Sequence, residues 1–187
     1  GGRVVDPANG IDGAYDVLID GGVIAKVGRD LPVSLADGGQ VIALSPAFVV
    51  CPGFIDMHSH AELEESWGRD GAPFLTQGIT TVALGVDGGG TAEVGELLAR
   101  LRDSSIGVNA FSYVGHGAIR RQVMGMANRP PSAAELERMK GLVRAGMAEG
   151  AVGLSTGLFY TPGSYATTEE VIALAKVAAE VNGIYDT

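Results

Sequence analysis

Val49-Val50-Cys51-Pro52-Gly53-Phe54-Ile55-Asp56-Met57-His58-Ser59-His60 is the stretch that decides how the rest of the chain is read. An apolar run passes through Pro-Gly and then meets an aspartate and two histidines separated by one residue. Side chains alternate faces along an extended strand, so His58 and His60 share one side while Ser59 takes the other. Two imidazoles on one side of a strand end can bind one metal ion. A bare His-x-His pair is equally at home in a solvated loop. What favours the metal is its position, because near-continuous apolar runs are the strands that parallel α/β sheets bury on both faces. Such sheets place their active sites at the carboxyl ends of the strands.

Downstream, the rhythm is strand alternating with helix. The segment 69–77 reads as a short helix closed by Gly78, and Ile79–Gly85 as the second strand. Thr91 is placed to cap a helix over Ala92–Arg102. Val108–Val114 reads as a third strand, and Ser132 with Glu135 forms a capping box for a helix running towards Ala148. Ala151–Ser155 reads as a fourth strand, a helix over Glu169–Val181 follows a Thr167 or Thr168 cap, and Gly183–Asp186 opens a fifth strand. Polar residues stand at the end of every strand, as a barrel collecting one site from all its loops requires, whereas a doubly wound sheet concentrates them at one switch point. The expected α/β fold is therefore a (β/α) barrel over residues 47–187, with about five of the eight strands present. The rest of the barrel is expected from the same polypeptide or from another chain, because an open barrel leaves strand edges uncovered.

Residues 1–46 read differently, as a small β-sandwich-like unit. Arg3–Asp6, Tyr15–Ile19, Val23–Val27 and Gln40–Leu44 are short β-type runs. Pro7-Ala8-Asn9-Gly10, Asp20-Gly21-Gly22 and Asp37-Gly38-Gly39 punctuate them, the second as a hairpin turn.

Composition narrows the partners. With 46% hydrophobic residues in 187, the chain can pack a core. Twenty-two acidic against thirteen basic residues give a net charge of −9, which disfavours nucleic acid or an anionic membrane and favours a small-molecule partner. No apolar stretch is long enough to span a bilayer. The single cysteine, Cys51, excludes an internal disulfide framework, reads as a small buried filler, and suits a reducing, cytoplasmic setting.

Four strand ends carry candidate chemistry. Asp87, in Gly85-Val86-Asp87-Gly88-Gly89-Gly90, lies one strand along from the histidines and can ligate or bridge metal there; an aspartate in a glycine-rich turn is the plainer alternative. The triple glycine lacks the Gly-x-x-x-x-Gly-Lys pattern of a phosphate loop. His116, flanked by Gly115 and Gly117, suits the rim of a pocket, either as a structural residue or facing substrate. Ser155, Thr156 and Tyr160 lie in a glycine-bounded loop suited to a small polar ligand, but no Gly-x-Ser-x-Gly elbow marks Ser155 as a nucleophile.

Taken together, Pro52–His60 resembles the signature of the amidohydrolase superfamily. Gln77–Val82, Val114–Arg120 and Gly153–Gly163 resemble N-acyl-D-amino-acid deacylases, and the likeness runs through essentially the whole chain. The resemblance implies a zinc-dependent hydrolase, with one or two Zn2+ ions, that cleaves the amide of an N-acyl-D-amino acid. It implies His58, His60 and Asp87 as metal ligands, where many deacylases have cysteine at the last position. It also implies Tyr160 as a residue holding the substrate carboxylate, with His116 and Ser155 in the pocket. Related hydrolases use a carboxylated lysine at the end of strand four, and Gly153-Leu154-Ser155 supplies none. The family's later histidine ligands and its general base fall outside these residues, so the chain alone is expected to be inactive. The competing expectations are a cyclic amide, ureide or isoaspartyl dipeptide hydrolase, and a non-catalytic fragment needing a complementing half.

Overall fold

The computed structural model describes residues 2–32 and 39–187. They form two compact units, Gly1–Gly53 and Phe54–Thr187. In the first unit, β1 (Arg3–Asp6) pairs antiparallel with β2 (Ile11–Ala14). The hairpin of β3 (Asp16–Asp20) and β4 (Val23–Gly28) turns at Gly21 and Gly22, both at positive φ, as the Asp-Gly-Gly reading expects. Gln40–Leu44 makes no strand, and the expected turn at Asp37-Gly38-Gly39 lies largely outside the described residues. The strand that completes this sheet is instead β5 (Val49–Val50), parallel to β1. The decisive apolar run is therefore divided, because Pro52 has no N–H to continue a ladder. Its first half serves the small unit and its second half opens the large one.

The large unit alternates β6 (Phe54–Asp56), α1 (Ala72–Leu75), β7 (Ile79–Leu84), α2 (Val94–Asp103), β8 (Asn109–Ser112), β9 (Val114–Gly115), α3 (His116–Met124), α4 (Ala133–Ala148), β10 (Gly153–Ser155), α5 (Thr168–Ala179) and β11 (Ile184–Asp186). The strands form two parallel sheets, β6-β7-β8 and β9-β10-β11. Tyr113 N–H bonds to Leu84 O, and Val152 N–H to Ser112 O, so strand follows strand in chain order across the join. All the strands therefore deliver their carboxyl ends on one side.

Some elements depart from the sequence reading for local reasons. The helix expected over 69–77 contracts to the single turn of α1, since Gly71 and Gly78 both take left-handed φ. Thr91 does not cap α2; its hydroxyl accepts from Glu93 N–H and donates to the Glu93 carboxylate, and the helix begins at Val94. The nine-residue α3, following directly on β9, is a helix that no capping signal in the sequence marks. Ser132 and Glu135 do form the capping box of α4. Cys51 is exposed, not a buried filler, and Phe54 and Ile55 are also exposed because β6 is the edge of its sheet.

The main core lies between β9, β10 and the helices α3, α4 and α5. Val114 and Leu154 from the strands meet Ile119, Met139, Val143, Leu174 and Val177 from the helices, all almost fully buried. Each such side chain contributes about 1.5–3 kcal/mol by leaving water. At Gly146 a Cβ would stand 2.5 Å from Val114 Cγ2, so α4 crosses β9 closely only because that residue is glycine. This packing fixes the strand ends on which the polar residues sit.

Candidate metal centre

The backbone places the two histidines. Beyond β6, Ser59 N–H donates to Ala83 O at 3.1 Å, so the chain keeps its extended alternation past Asp56. Ser59 is buried and His58 and His60 are exposed on the opposite side. Asp56 accepts a hydrogen bond from His58 N–H at 3.1 Å, and Tyr113 donates its hydroxyl to Met57 O at 3.1 Å. Burial, with the negative charge of Asp186 adding to it, pushes the Tyr113 phenol up, so it stays a proton donor.

Asp87 arrives from the loop after β7, held at φ 55°, a left-handed conformation that aspartate tolerates better than most residues. Ser155, at the end of β10, clamps this loop. Its hydroxyl accepts from Gly88 N–H at 3.0 Å and donates to Gly85 O. Gly157 presses on the same loop from β10's side, where a Cβ would meet Asp87 O at 2.1 Å. Any larger residue at 157 would displace the carboxylate-bearing backbone.

These supports converge His58, His60 and Asp87. Asp87 Oδ2 lies 3.2 Å from His60 Nε2, and Oδ1 lies 3.7 Å from His58 Nε2. Bonds of 2.0–2.1 Å to a tetrahedral zinc require donor atoms about 3.4 Å apart, which these two distances bracket. One ligand atom from each residue falls within 4.8 Å of the others, the one such group of three among the described residues. Two imidazoles and a carboxylate suit zinc, with positions left for other ligands. The two Asp87 oxygens face different histidines, an arrangement that also suits a carboxylate bridging two ions.

Asp186, the last residue of β11, completes the arrangement. Its Oδ1 lies 3.1 Å from His58 Nδ1. A neutral His58 then donates its Nδ1 proton to Asp186 and turns the Nε2 lone pair towards Asp87, the carboxylate–histidine pairing that orients metal ligands. The hydrogen bond to Asp186, foremost, raises the His58 pKa above the ordinary imidazole value; partial burial opposes the shift and the charge of Asp87 supports it.

The remaining expected site residues divide. Tyr160 lines a cavity of about 600 Å³ that also takes in His60, Asp87, Arg121 and Thr161. Ser155 and His116 do not line it: both are fully buried behind the wall. The hydroxyl of Ser155 is committed to the Asp87 loop, so the expectation that it faces substrate does not match its placement. His116 Nε2 lies 2.9 Å from Glu170 Oε1, and Arg120 donates to the other oxygen of Glu170. Arg120 also donates to Arg129 O at 2.6 Å. Burial pushes the Glu170 carboxyl up, but the hydrogen bonds from His116 and Arg120 outweigh it and leave the group below its ordinary value. His116 thus joins an internal charge network between α3 and α5. No sequence spacing marks Glu170, which lies 54 residues from its histidine partner. Asp186 was more accessible, being a polar residue at a strand's carboxyl end.

With its parallel strands and a His-x-His facing a carboxylate from the next strand, the chain can be set beside known proteins. No family model matches the chain. It is 33% identical to D-aminoacylase of Alcaligenes xylosoxydans xylosoxydans, over all of this chain and 43% of that protein. A solved D-aminoacylase, studied for the functional role of its binuclear metal centre, superimposes with a TM-score of 0.76 at 30% identity, covering 99% of this chain and 43% of the other. N-acyl-D-glutamate deacylase from Bordetella bronchiseptica, solved with zinc and a phosphonate mimic of the tetrahedral intermediate, gives a TM-score of 0.78 at 29% identity, with the same coverage. The chain is thus similar to D-aminoacylases and an N-acyl-D-glutamate deacylase, and it spans less than half the length of these relatives.

Proposed function

We propose that the full-length protein is a zinc-dependent deacylase of N-acyl-D-amino acids, and that residues 54–187 carry the first part of its active site. The observation that carries this reading is the convergence of His58, His60 and Asp87 to tetrahedral spacing, with Asp186 behind His58. Zinc, one ion or two, would supply Lewis acidity towards the amide carbonyl and acidify the attacking water. The chain's own residues hold that centre and shape its approach. Asp186 fixes the tautomer of His58, Ser155 and Gly157 fix Asp87, and Tyr160 stands on the cavity wall where a substrate carboxylate would lie. The remaining strands, further ligands and the general base come from the rest of the protein, which closes the (β/α) barrel over the exposed Phe54 and Ile55 of β6 and Tyr185 of β11. Asp87 in place of the thiolate that many deacylases carry gives a harder ligand, so metal number and affinity are where this protein would differ from them.

The test is hydrolysis by the zinc-loaded full-length protein of N-acetyl-D-amino acids, their L-enantiomers and cyclic ureides, with metal content measured alongside. D-selective amide hydrolysis that disappears in His58→Ala and His60→Ala is expected. Turnover of the ureides alone would assign the chain to the cyclic amide branch, and an absence of both zinc and turnover would leave a non-catalytic scaffold.

A further inference from the structure

We infer that Tyr113 is a positioning residue of the metal centre, a strut that holds the histidine segment and the Asp87 loop in register with one another without touching an ion. The inference rests on the metal-binding part of the deacylase reading and goes beyond it, because Tyr113 supplies no ligand atom. The histidines lie past the last paired residue of β6, on the edge strand of its sheet, so the ladder of that sheet does not fix them. Three hydrogen bonds hold the backbone from Met57 to Ser59. Two are local to β6 and its neighbour β7: Asp56 accepts from His58 N–H and Ser59 N–H donates to Ala83 O, both at 3.1 Å. The third comes from 56 residues away, where the Tyr113 hydroxyl donates to Met57 O at 3.1 Å.

The same residue grips the Asp87 loop through its main chain. Tyr113 follows β8, and its N–H donates to Leu84 O at 2.9 Å, immediately before that loop begins. Its carbonyl accepts from Ser112 Oγ at 3.0 Å and lies where the two ends of the loop close. A Cβ at Gly85 would stand 2.7 Å from Tyr113 O, and one at Gly90 would stand 2.8 Å from it. Both ends are glycine, so the loop sits directly on this carbonyl. Between its main chain and its hydroxyl, Tyr113 is 1% exposed and packs against Ala83 and Val86. Ala83 is the smallest side chain of that cluster, which leaves the ring room to pass β7 and reach the segment beyond it. Tyr113 is thus bonded at one end to the backbone that carries His58 and seated at the other against the loop that carries Asp87. Phenylalanine would fill the same space and leave Met57 O without this donor. Zinc tolerates ligand distances only within about 0.2 Å of their ordinary values, so slack between the two segments is felt as lost affinity.

The test uses the full-length protein as wild type, Tyr113→Phe and Val143→Ala, the last a truncation in the main core that weakens the fold without touching either ligand segment. Zinc affinity is read by competition with a chromophoric chelator. Backbone amide resonances of Met57–His60 and Asp87–Gly89 are read in metal-free protein. Tyr113→Phe should weaken zinc by about tenfold, the lower end of what supporting partners of metal ligands contribute, and should shift the amides of both segments. Val143→Ala should lower the urea midpoint, leave both sets of amides in place and keep zinc within about twofold of wild type, as an independent site does. Zinc affinity unchanged in Tyr113→Phe, amide shifts confined to Met57 and His58, or an equal loss of zinc in Val143→Ala overturns the inference. Wild type that binds no zinc removes the metal reading, and the amide shifts then decide the strut alone. Hydrolysis is scored separately: a tenfold zinc loss in Tyr113→Phe, in a protein that cleaves no N-acyl amide, keeps the strut and removes the deacylase reading.

Discussion

The large unit contains two histidine–carboxylate clusters built on opposite terms. In one, His116, Glu170 and Arg120 are fully buried, and both Glu170 oxygens are met by side-chain donors. In the other, His58 and His60 keep 41% and 71% of their side chains exposed, and both turn a nitrogen towards the carboxylate of Asp87. Shut off from solvent and with both carboxylate oxygens taken, a network of this kind serves to hold the fold together, although His116 Nδ1 and Arg120 Nε find no partner in it. An open one, whose partners approach at ligand spacing and whose histidine is oriented from behind by Asp186, retains lone pairs for something else. The difference separates a histidine committed to the fold from one left open to a ligand more reliably than the glycines that flank His116 in the sequence.

Mutations should separate the two clusters by what they damage. The largest effect is expected at Glu170→Gln, which leaves the buried Arg120 guanidinium without its counter-charge. Breaking a buried ion pair by removing one partner costs about 3–5 kcal/mol, so urea denaturation should show a loss of that order. Glu170→Gln with unchanged stability would mean that the cluster is not closed as described. Next is His60→Ala. Its exposed side chain predicts a change in stability of no more than about 0.5 kcal/mol in metal-free protein, but a loss of zinc affinity of roughly a hundredfold or more, read by competition with a chromophoric chelator. A variant that unfolds yet binds zinc normally would exchange the roles of the two clusters.

Much of this was legible in the chain because its signals are local. Pro52-Gly53 and the apolar residues around it mark a strand boundary, Ser132 and Glu135 mark a helix start, and alternation puts His58 and His60 on one side even though they lie beyond the last paired residue of β6. Asp87 was legible because carboxyl ends of neighbouring parallel strands converge. The closed cluster was not, because Glu170 sits in the first turn of α5 where an acidic residue is ordinarily explained by the helix dipole. Its burial against α3 is a tertiary fact with no periodic signature. Ser155 was visible as a polar residue at a strand end, but whether its hydroxyl faces a ligand or clamps a loop depends on the backbone of Gly85 and Gly88, which only the fold brings to it.

The finest discrimination between the clusters lies in Asp186, which touches the open one without itself being a proposed ligand. It raises the pKa of His58 mainly through its hydrogen bond to Nδ1. In metal-free protein this raised value means that His58 holds its proton more tightly folded than unfolded. The stabilisation it gives is therefore complete below the ordinary histidine pKa and is lost as pH rises through the folded value. Zinc needs the opposite form, with Nε2 unprotonated, so binding should release a proton and weaken as pH falls through the His58 titration. Asp186→Asn should lower that titration midpoint, followed by the His58 Cε1–H resonance, and so reduce proton competition in mildly acid solution. The same change removes the carboxylate that fixes the imidazole tautomer, an effect expected to weaken zinc by about 10–100-fold above the titration range. The two effects act in opposite directions on either side of the His58 pKa, so the zinc affinity profiles of wild type and Asp186→Asn should converge as the pH is lowered. Parallel profiles would show that Asp186 acts on zinc without passing through His58.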